Sequence, residues 1–170
     1  GGGVAGIRVA ESARAAGFDG PITMIGEERH PPYERPPLSK QVLTGDYDQR
    51  ILFPRDSSEL EALRIDMRLG VRAVRLDREG SLVELDDGSV VHYDRLVIAT
   101  GARARKLPFD HPAGVYTIRT VEDSLAIAAE FKTRPRVAVV GAGFVGLEVA
   151  STARALGCSV TLIESGRVPL

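Results

Sequence analysis

The order of apolar and polar residues divides the chain into short strands and amphipathic helices. Residues 137–140 (VAVV) form a continuous apolar run, the pattern of a strand buried in a parallel sheet. Residues 144–156 then predict a helix, and residues 160–163 a second buried strand. Near the N-terminus, Val4, Ile7 and Ala15 can face a sheet while Arg8, Glu11 and Arg14 face water. Residues 22–25 (ITMI) follow as a strand. Pro31, Pro32, Pro36 and Pro37 exclude a helix as far as Pro37, after which residues 38–43 can form a short one. Residues 57–63 predict another short helix, capped by Ser57 or Ser58, with Glu59 and Glu61 in its first turn. Residues 65–77 suggest one or two strands. Residues 72–95 alternate apolar and polar, with turns at 78–80 and 86–89, and predict a half-exposed three-stranded antiparallel meander. Residues 96–99 are apolar throughout and predict a return to the buried parallel sheet. A short strand is expected at 115–118, and Thr120 caps a helix from Val121 to about Lys132.

Gly141, Gly143 and Gly146 stand between the 137–140 strand and its helix in G-x-G-x-x-G spacing. The first glycine permits a tight turn, the second lets a pyrophosphate approach the backbone, and the third lets the helix pack close to the strand. The helix N-terminus offers N–H groups and a positive dipole end to phosphates. Glu164 ends the next strand, where an acid can accept from a ribose 2′-OH. The N-terminal stretch repeats this unit. GGGVAGIRVAESARAAG aligns with GAGFVGLEVASTARALG, nine of 17 positions being identical, and ITMI aligns with VTLI after a two-residue insertion. Gly26 occupies the slot of Glu164, so the acid of the first unit is displaced to Glu27. Two units with differently placed acids imply two different cofactors. The second unit has a strand ahead of its glycines and the first has none, and the chain ends soon after the second unit's second strand. The expectation is a fragment of a larger nucleotide-binding protein.

Composition narrows the chemistry. With 22 basic and 23 acidic residues among 170, nothing points to nucleic acid. No run approaches the ~18 apolar residues of a membrane span. Cys158 is the only cysteine, which excludes an internal disulfide and a C-x-x-C pair; it reads as a small apolar residue at a strand start, and a reducing cytoplasm fits. His30, His92 and His111 lack metal-ligand spacing, so no metal is expected. The proline-stiffened segment 30–40 can be a rigid surface loop, or an arm presenting Arg35 and Lys40 to an anionic or electron-rich ligand. Thr100-Gly101 falls at the carboxyl edge of the sheet, where open α/β sheets bind ligands.

Four motifs, GGGVAG with ITMIGEE, PPYERPPLSK, YDRLVIATGARARKLP, and VVGAGFVGLEVA with VTLIES, together resemble the pyridine-nucleotide-dependent flavoprotein reductases that carry two dinucleotide-binding domains. PPYERPPLSK is similar to the branch of ferredoxin reductases that serve Rieske-type oxygenases and bacterial cytochromes P450; rubredoxin reductases and apoptosis-inducing factor are its relatives. The resemblance implies an α/β fold with two Rossmann-like units: an FAD unit at 1–112, which includes the antiparallel meander, and an NAD(P) unit at 113–170. It implies that Gly1, Gly3 and Gly6 hold the FAD pyrophosphate, with Val4 and Ala5 lining the loop, and that Glu27 binds the FAD ribose. Arg35 and Lys40 would lie by the flavin, Lys40 near the isoalloxazine. Ala73 would meet the adenine end through its backbone, and Ala99, Thr100 and Gly101 would approach the flavin. Gly141, Gly143 and Gly146, with Phe144 and Val145, would take the NAD pyrophosphate, and Glu148 would lie near the nicotinamide. NADH is expected over NADPH because Glu164 would repel a 2′-phosphate, although Arg167 lies close by. Where disulfide reductases of this class carry a cysteine pair, this chain has Leu38-Ser39-Lys40. The implied chemistry is hydride transfer from NADH to FAD, then electrons to a [2Fe-2S] ferredoxin or similar iron–sulfur acceptor. The alternatives are a rubredoxin reductase or nitrite-reductase flavin domain, or a flavin-binding redox sensor resembling apoptosis-inducing factor.

Overall fold

A computed structural model describes residues 1–45, 47–105 and 112–169. The elements in chain order are α1 (Val4–Ala15), β1 (Ile22–Gly26), a 3-10 turn (Pro36–Ser39), α2 (Gln41–Thr44), α3 (Gln49–Leu52), α4 (Ser57–Ala62), β2 (Ile65–Leu69), β3 (Ala73–Asp77), β4 (Leu82–Leu85), β5 (Val90–His92), α5 (Val121–Phe131), β6 (Arg136–Val140), α6 (Phe144–Ala155) and β7 (Ser159–Ile163). They form two compact units: Gly1–Glu34 with Phe53–Ala102, and Arg35–Leu52 with Arg103–Leu170. The expected boundary at residue 112 lies just past the undescribed stretch 106–111, which also holds His111, whereas the division into units falls between Ala102 and Arg103 and puts residues 35–52 with the second unit.

In the first unit β1 pairs in parallel with β2, from Ile22 opposite Ile65 to Gly26 opposite Leu69. Helix α1 buries Ile7 against Met24 and Leu60, with Leu63, Ile65 and Met67 at the fringe. Ile7 lies inside as the helical period predicts, but Ala15, expected on the same face, is exposed, and Arg14, expected in water, is half-buried. Its Nε donates to Leu63 O (2.8 Å), Nη1 to Phe18 O (2.6 Å) and Gly20 O (2.8 Å), and Nη2 to Arg64 O (3.0 Å). A planar guanidinium with five donors can serve several carbonyls at once, so it ties α1 to the turns before β1 and β2. Helix α4 is capped by Asp56, one residue ahead of the expected serines, because Asp56 forms a reciprocal capping box with Glu59. Strands β3, β4 and β5 make the expected antiparallel meander, with Val83 and Leu85 buried.

Residues 96–99 depart from expectation. They form no strand, and Ile98 is 70% exposed. The parallel sheet of this unit is the β1–β2 pair, and residues 96–99 join neither it nor the β3–β4–β5 meander.

In the second unit β6 pairs in parallel with β7, Val140 meeting Ile163. The core gathers Leu43, Ile127, Phe131, Ala153 and Cys158. Cys158 is thus the expected apolar plug beside β7. Strands β6 and β7 are both expected to be buried throughout; instead the residues of each alternate, with Val140 62% and Ile163 49% exposed, because among the described residues each strand pairs only with the other. Residues 115–118 form no strand. Thr120 caps α5 as expected, through a reciprocal box with Asp123. Pro36 and Pro37 do not exclude helix. They open the 3-10 turn, where the missing N–H would have no partner in any case. The fully buried Leu43 of α2 anchors this segment in the core; burial of such a side chain contributes about 1.5–3 kcal/mol.

Candidate functional site

The two glycine loops are built alike. In the second unit Gly141 holds φ +101°, a left-handed conformation that disfavours any side chain. A Cβ on Gly146 would stand 2.1 Å from Gly141 O, so only glycine lets α6 approach the loop. A Cβ on Gly143 would meet nothing within 4 Å. Gly143 is the N-cap of α6 and makes no side-chain cap, which leaves the helix N–H groups to another acceptor. The first unit matches: a Cβ on Gly6 would lie 2.0 Å from Gly1 O, and one on Gly3, the N-cap of α1, would meet nothing. At each loop, then, one glycine is required by packing, and one faces open space beside a helix N-terminus. That cradle fits a pyrophosphate.

Around the first loop the chain closes tightly. A Cβ on Gly1 would fall 1.8 Å from Ala99 O and 3.1 Å from Thr100 N, so Ala99 and Thr100 lie against the loop, next to Gly101. Gly2 and Gly26 approach backbone to backbone, a Cβ on Gly2 falling 3.3 Å from Gly26 Cα. Val4 and Ala5 open α1, and Glu27 follows β1 on the exposed surface. Val71 N–H donates to Gly26 O (3.1 Å) and Gly70 N–H to Glu28 O (3.1 Å). These bonds bring the start of β3, and hence Ala73, back toward the carboxyl end of β1. His30 is an aromatic neighbour of Tyr33 and Phe53, as a structural histidine would be.

Around the second loop Glu164 is held by the loop itself. Its Oε2 accepts Ala142 N–H (2.6 Å), while Oε1 accepts Gly166 N–H (2.8 Å) and the Ser165 hydroxyl (3.2 Å). These bonds, that from Ala142 first, hold the carboxyl below the ordinary range, so it is ionised at neutral pH. Phe144 (77% exposed) and Val145 stand exposed at the start of α6.

Lys40 and Glu148 meet within this unit. Lys40 Nζ lies 2.8 Å from Glu148 Oε1, and the Ser39 hydroxyl donates to Glu148 Oε2. Lys40 first and Ser39 second lower the Glu148 carboxyl from its ordinary value. Arg35 Nη1 donates to Arg119 O (2.5 Å). Sequence reasoning missed Ser39 and Arg119. Arg119 buries its Nε with no hydrogen-bond partner in the structure, and an anionic acceptor would satisfy it. Among the described residues no group of three His, Cys, Asp or Glu side chains could hold a metal, and no helix is long and apolar enough to cross a membrane.

The whole chain, residues 1–170, matches the family described as pyridine nucleotide-disulphide oxidoreductase. It is 47% identical over 166 residues to the ferredoxin–NAD(+) reductase component of the anthranilate 1,2-dioxygenase system of Burkholderia cepacia, covering 96% of this chain and 41% of that protein. It is 41% identical over 172 residues to rhodocoxin reductase of Rhodococcus erythropolis, covering 100% of this chain and 40% of that protein. Among solved structures it is similar to a chain of the covalent putidaredoxin reductase–putidaredoxin complex, with TM-score 0.94 and 36% identity, over 100% of this chain and 42% of that one. The chain therefore spans about two fifths of the length of these relatives.

Proposed function

Because this chain belongs to the pyridine nucleotide-disulphide oxidoreductase family, we propose that it is the nucleotide-binding part of an FAD-dependent reductase that passes electrons from NADH to a [2Fe-2S] ferredoxin or a similar iron–sulfur protein. The observation that carries this reading is the duplicated glycine loop, each copy pairing one glycine that packing demands with one that faces open space. Segment 1–112 is assigned to FAD and segment 113–170 to NAD(H).

Bound FAD supplies the conversion between a two-electron donor and one-electron acceptors. The chain's own part is to bind and to set charge. Gly1, Gly3 and Gly6, with Val4 and Ala5, cradle one pyrophosphate. Glu27 takes its ribose, Ala73 the adenine end, and Ala99, Thr100 and Gly101 the flavin side. Gly141, Gly143, Phe144, Val145 and Gly146 cradle the second pyrophosphate, and Glu164 takes the NADH ribose 2′-OH. Lys40 and Arg35 supply positive charge to the flavin, whose reduced form is anionic. Glu148 holds the Lys40 ammonium and stands on the nicotinamide side.

With Cys158 buried and no second cysteine in the chain, no thiol pair relays electrons within these residues. That supports direct transfer to an external iron–sulfur acceptor. The oxygenase-system relatives support a cytoplasmic location.

The test uses the full-length protein, NADH and cytochrome c. Rapid cytochrome c reduction is expected only when a [2Fe-2S] ferredoxin is added. Slow flavin reduction with a long-lived charge-transfer band, unaffected by ferredoxin, would instead favour a redox sensor.

A further inference from the structure

The 3-10 turn at Pro36–Ser39 ends in carbonyls that have no partner inside the turn. Two of them are taken by hydroxyls from distant helices. Leu38 O accepts the Ser124 hydroxyl of α5 at 2.6 Å, and Ser39 O accepts the Thr152 hydroxyl of α6 at 3.0 Å. Serine and threonine inside helices commonly return their hydroxyls to their own helix. Here both reach across to a segment 86 and 113 residues away in sequence. Ser124 is fully buried, so its hydroxyl needs that carbonyl as the carbonyl needs it.

Thr152 stands one turn beyond Glu148 on α6. A single helix face therefore grips Ser39 by its carbonyl and, through Glu148, the Ser39 hydroxyl and the Lys40 ammonium. Lys40 is the break between the 3-10 turn and α2, with φ −124° and ψ −97°. The direction of its side chain depends on what fixes the carbonyls just before it. The Lys40–Glu148 pair is more than a third exposed on both sides, and such pairs hold geometry weakly by themselves.

Building on the role assigned above to Lys40, we propose that Thr152 and Ser124 are positioning residues. Their hydroxyls hold residues 38–40 by the backbone and so set where the Lys40 ammonium and the Glu148 carboxylate meet. Neither hydroxyl touches a reacting atom. A cation beside a flavin acts through its distance, so freeing the turn loosens the charge without removing it.

The test compares Thr152→Val, Thr152→Ser, Ser124→Ala, Lys40→Ala and Thr152→Val/Lys40→Ala in the full-length flavoprotein. The readouts are flavin midpoint potential, rate of flavin reduction by NADH, FAD content and Tm. Thr152→Val should shift the potential in the direction of Lys40→Ala and slow reduction about two- to tenfold, the worth of one hydrogen bond. FAD content should be unchanged, Thr152→Ser should restore both values, and the double variant should match Lys40→Ala alone. Ser124→Ala should act as Thr152→Val does, and carries the test should that variant fail to fold. Wild-type potential and rate in both hydroxyl variants, while Lys40→Ala shifts the potential, would overturn this proposal alone. So would a Thr152→Val effect that adds fully to that of Lys40→Ala. An unshifted potential in Lys40→Ala would overturn the flavin role of Lys40 and this proposal with it.

Discussion

Replacing Gly143 by alanine separates binding of a nucleotide at the second loop from folding. Gly143 holds φ −75° and ψ 174°, an extended backbone that alanine adopts freely. Its Cβ would meet no heavy atom within 4 Å. The cost to the fold is that of a poorer N-cap on α6, about 1 kcal/mol at most. If the NADH pyrophosphate comes to rest on this loop, the new methyl group stands between it and the helix N–H groups. Losing one hydrogen bond to a charged oxygen costs about 1.5–3 kcal/mol, a roughly 10- to 150-fold rise in Kd for NADH. Gly146→Ala is the control, because its Cβ would lie 2.1 Å from Gly141 O and α6 must shift away; overpacking of this kind costs about 1–3 kcal/mol of stability. The assay is NADH titration of the full-length protein alongside thermal unfolding and FAD content. Gly143→Ala should bind NADH weakly at near-native Tm and full FAD occupancy, whereas Gly146→Ala should lose Tm as well. A native Kd in Gly143→Ala would refute the loop assignment, and so would a Tm loss as large as that of Gly146→Ala.

Three further outcomes follow from the same contacts. Glu164→Ala should raise NADPH use relative to NADH, read as the ratio of kcat/KM values; an unchanged ratio would remove Glu164 from the ribose. Arg14→Ala should destabilise the first unit by about 2–3 kcal/mol through its lost carbonyl contacts, seen as faster amide exchange in residues 18–20 and 63–65, and Arg14→Lys should not rescue it because one ammonium lacks the guanidinium's fork. Glu148 has a lowered carboxyl pKa, so its contribution to stability is complete above the ordinary carboxylate range and is lost as pH falls through the lowered value. The Tm difference between wild type and Glu148→Gln should therefore stay flat down through pH 5 and vanish only in stronger acid.

The glycine loops were legible because their reasons are local. The spacing of Gly141, Gly143 and Gly146 already encodes a turn, an open cradle and a close helix, and the structure shows each at its place. Glu164 at a strand end was legible for the same reason. What the sequence hid was long-range and polar. Arg14 looks like a solvent-facing helix residue until the carbonyls of residues 63 and 64 arrive beside it. Lys40 and Glu148 were named separately, and nothing within either stretch says that they pair. The one clue was Thr152 four residues after Glu148, a second polar group on the same helix face. Residues 96–99 and 137–140 misled in the other direction. An apolar run signals a buried strand only when neighbouring strands and a covering layer exist, and here Ile98 and Val140 remain largely exposed.

The central proposal is that the full-length protein binds FAD and NADH and that NADH reduces the flavin. Anaerobic titration of the purified full-length protein with NADH, followed by flavin absorbance, tests it directly. The account predicts about one FAD per chain, bleached by about one equivalent of NADH. Protein that carries no flavin, or a flavin that stays oxidised under excess NADH, would contradict it.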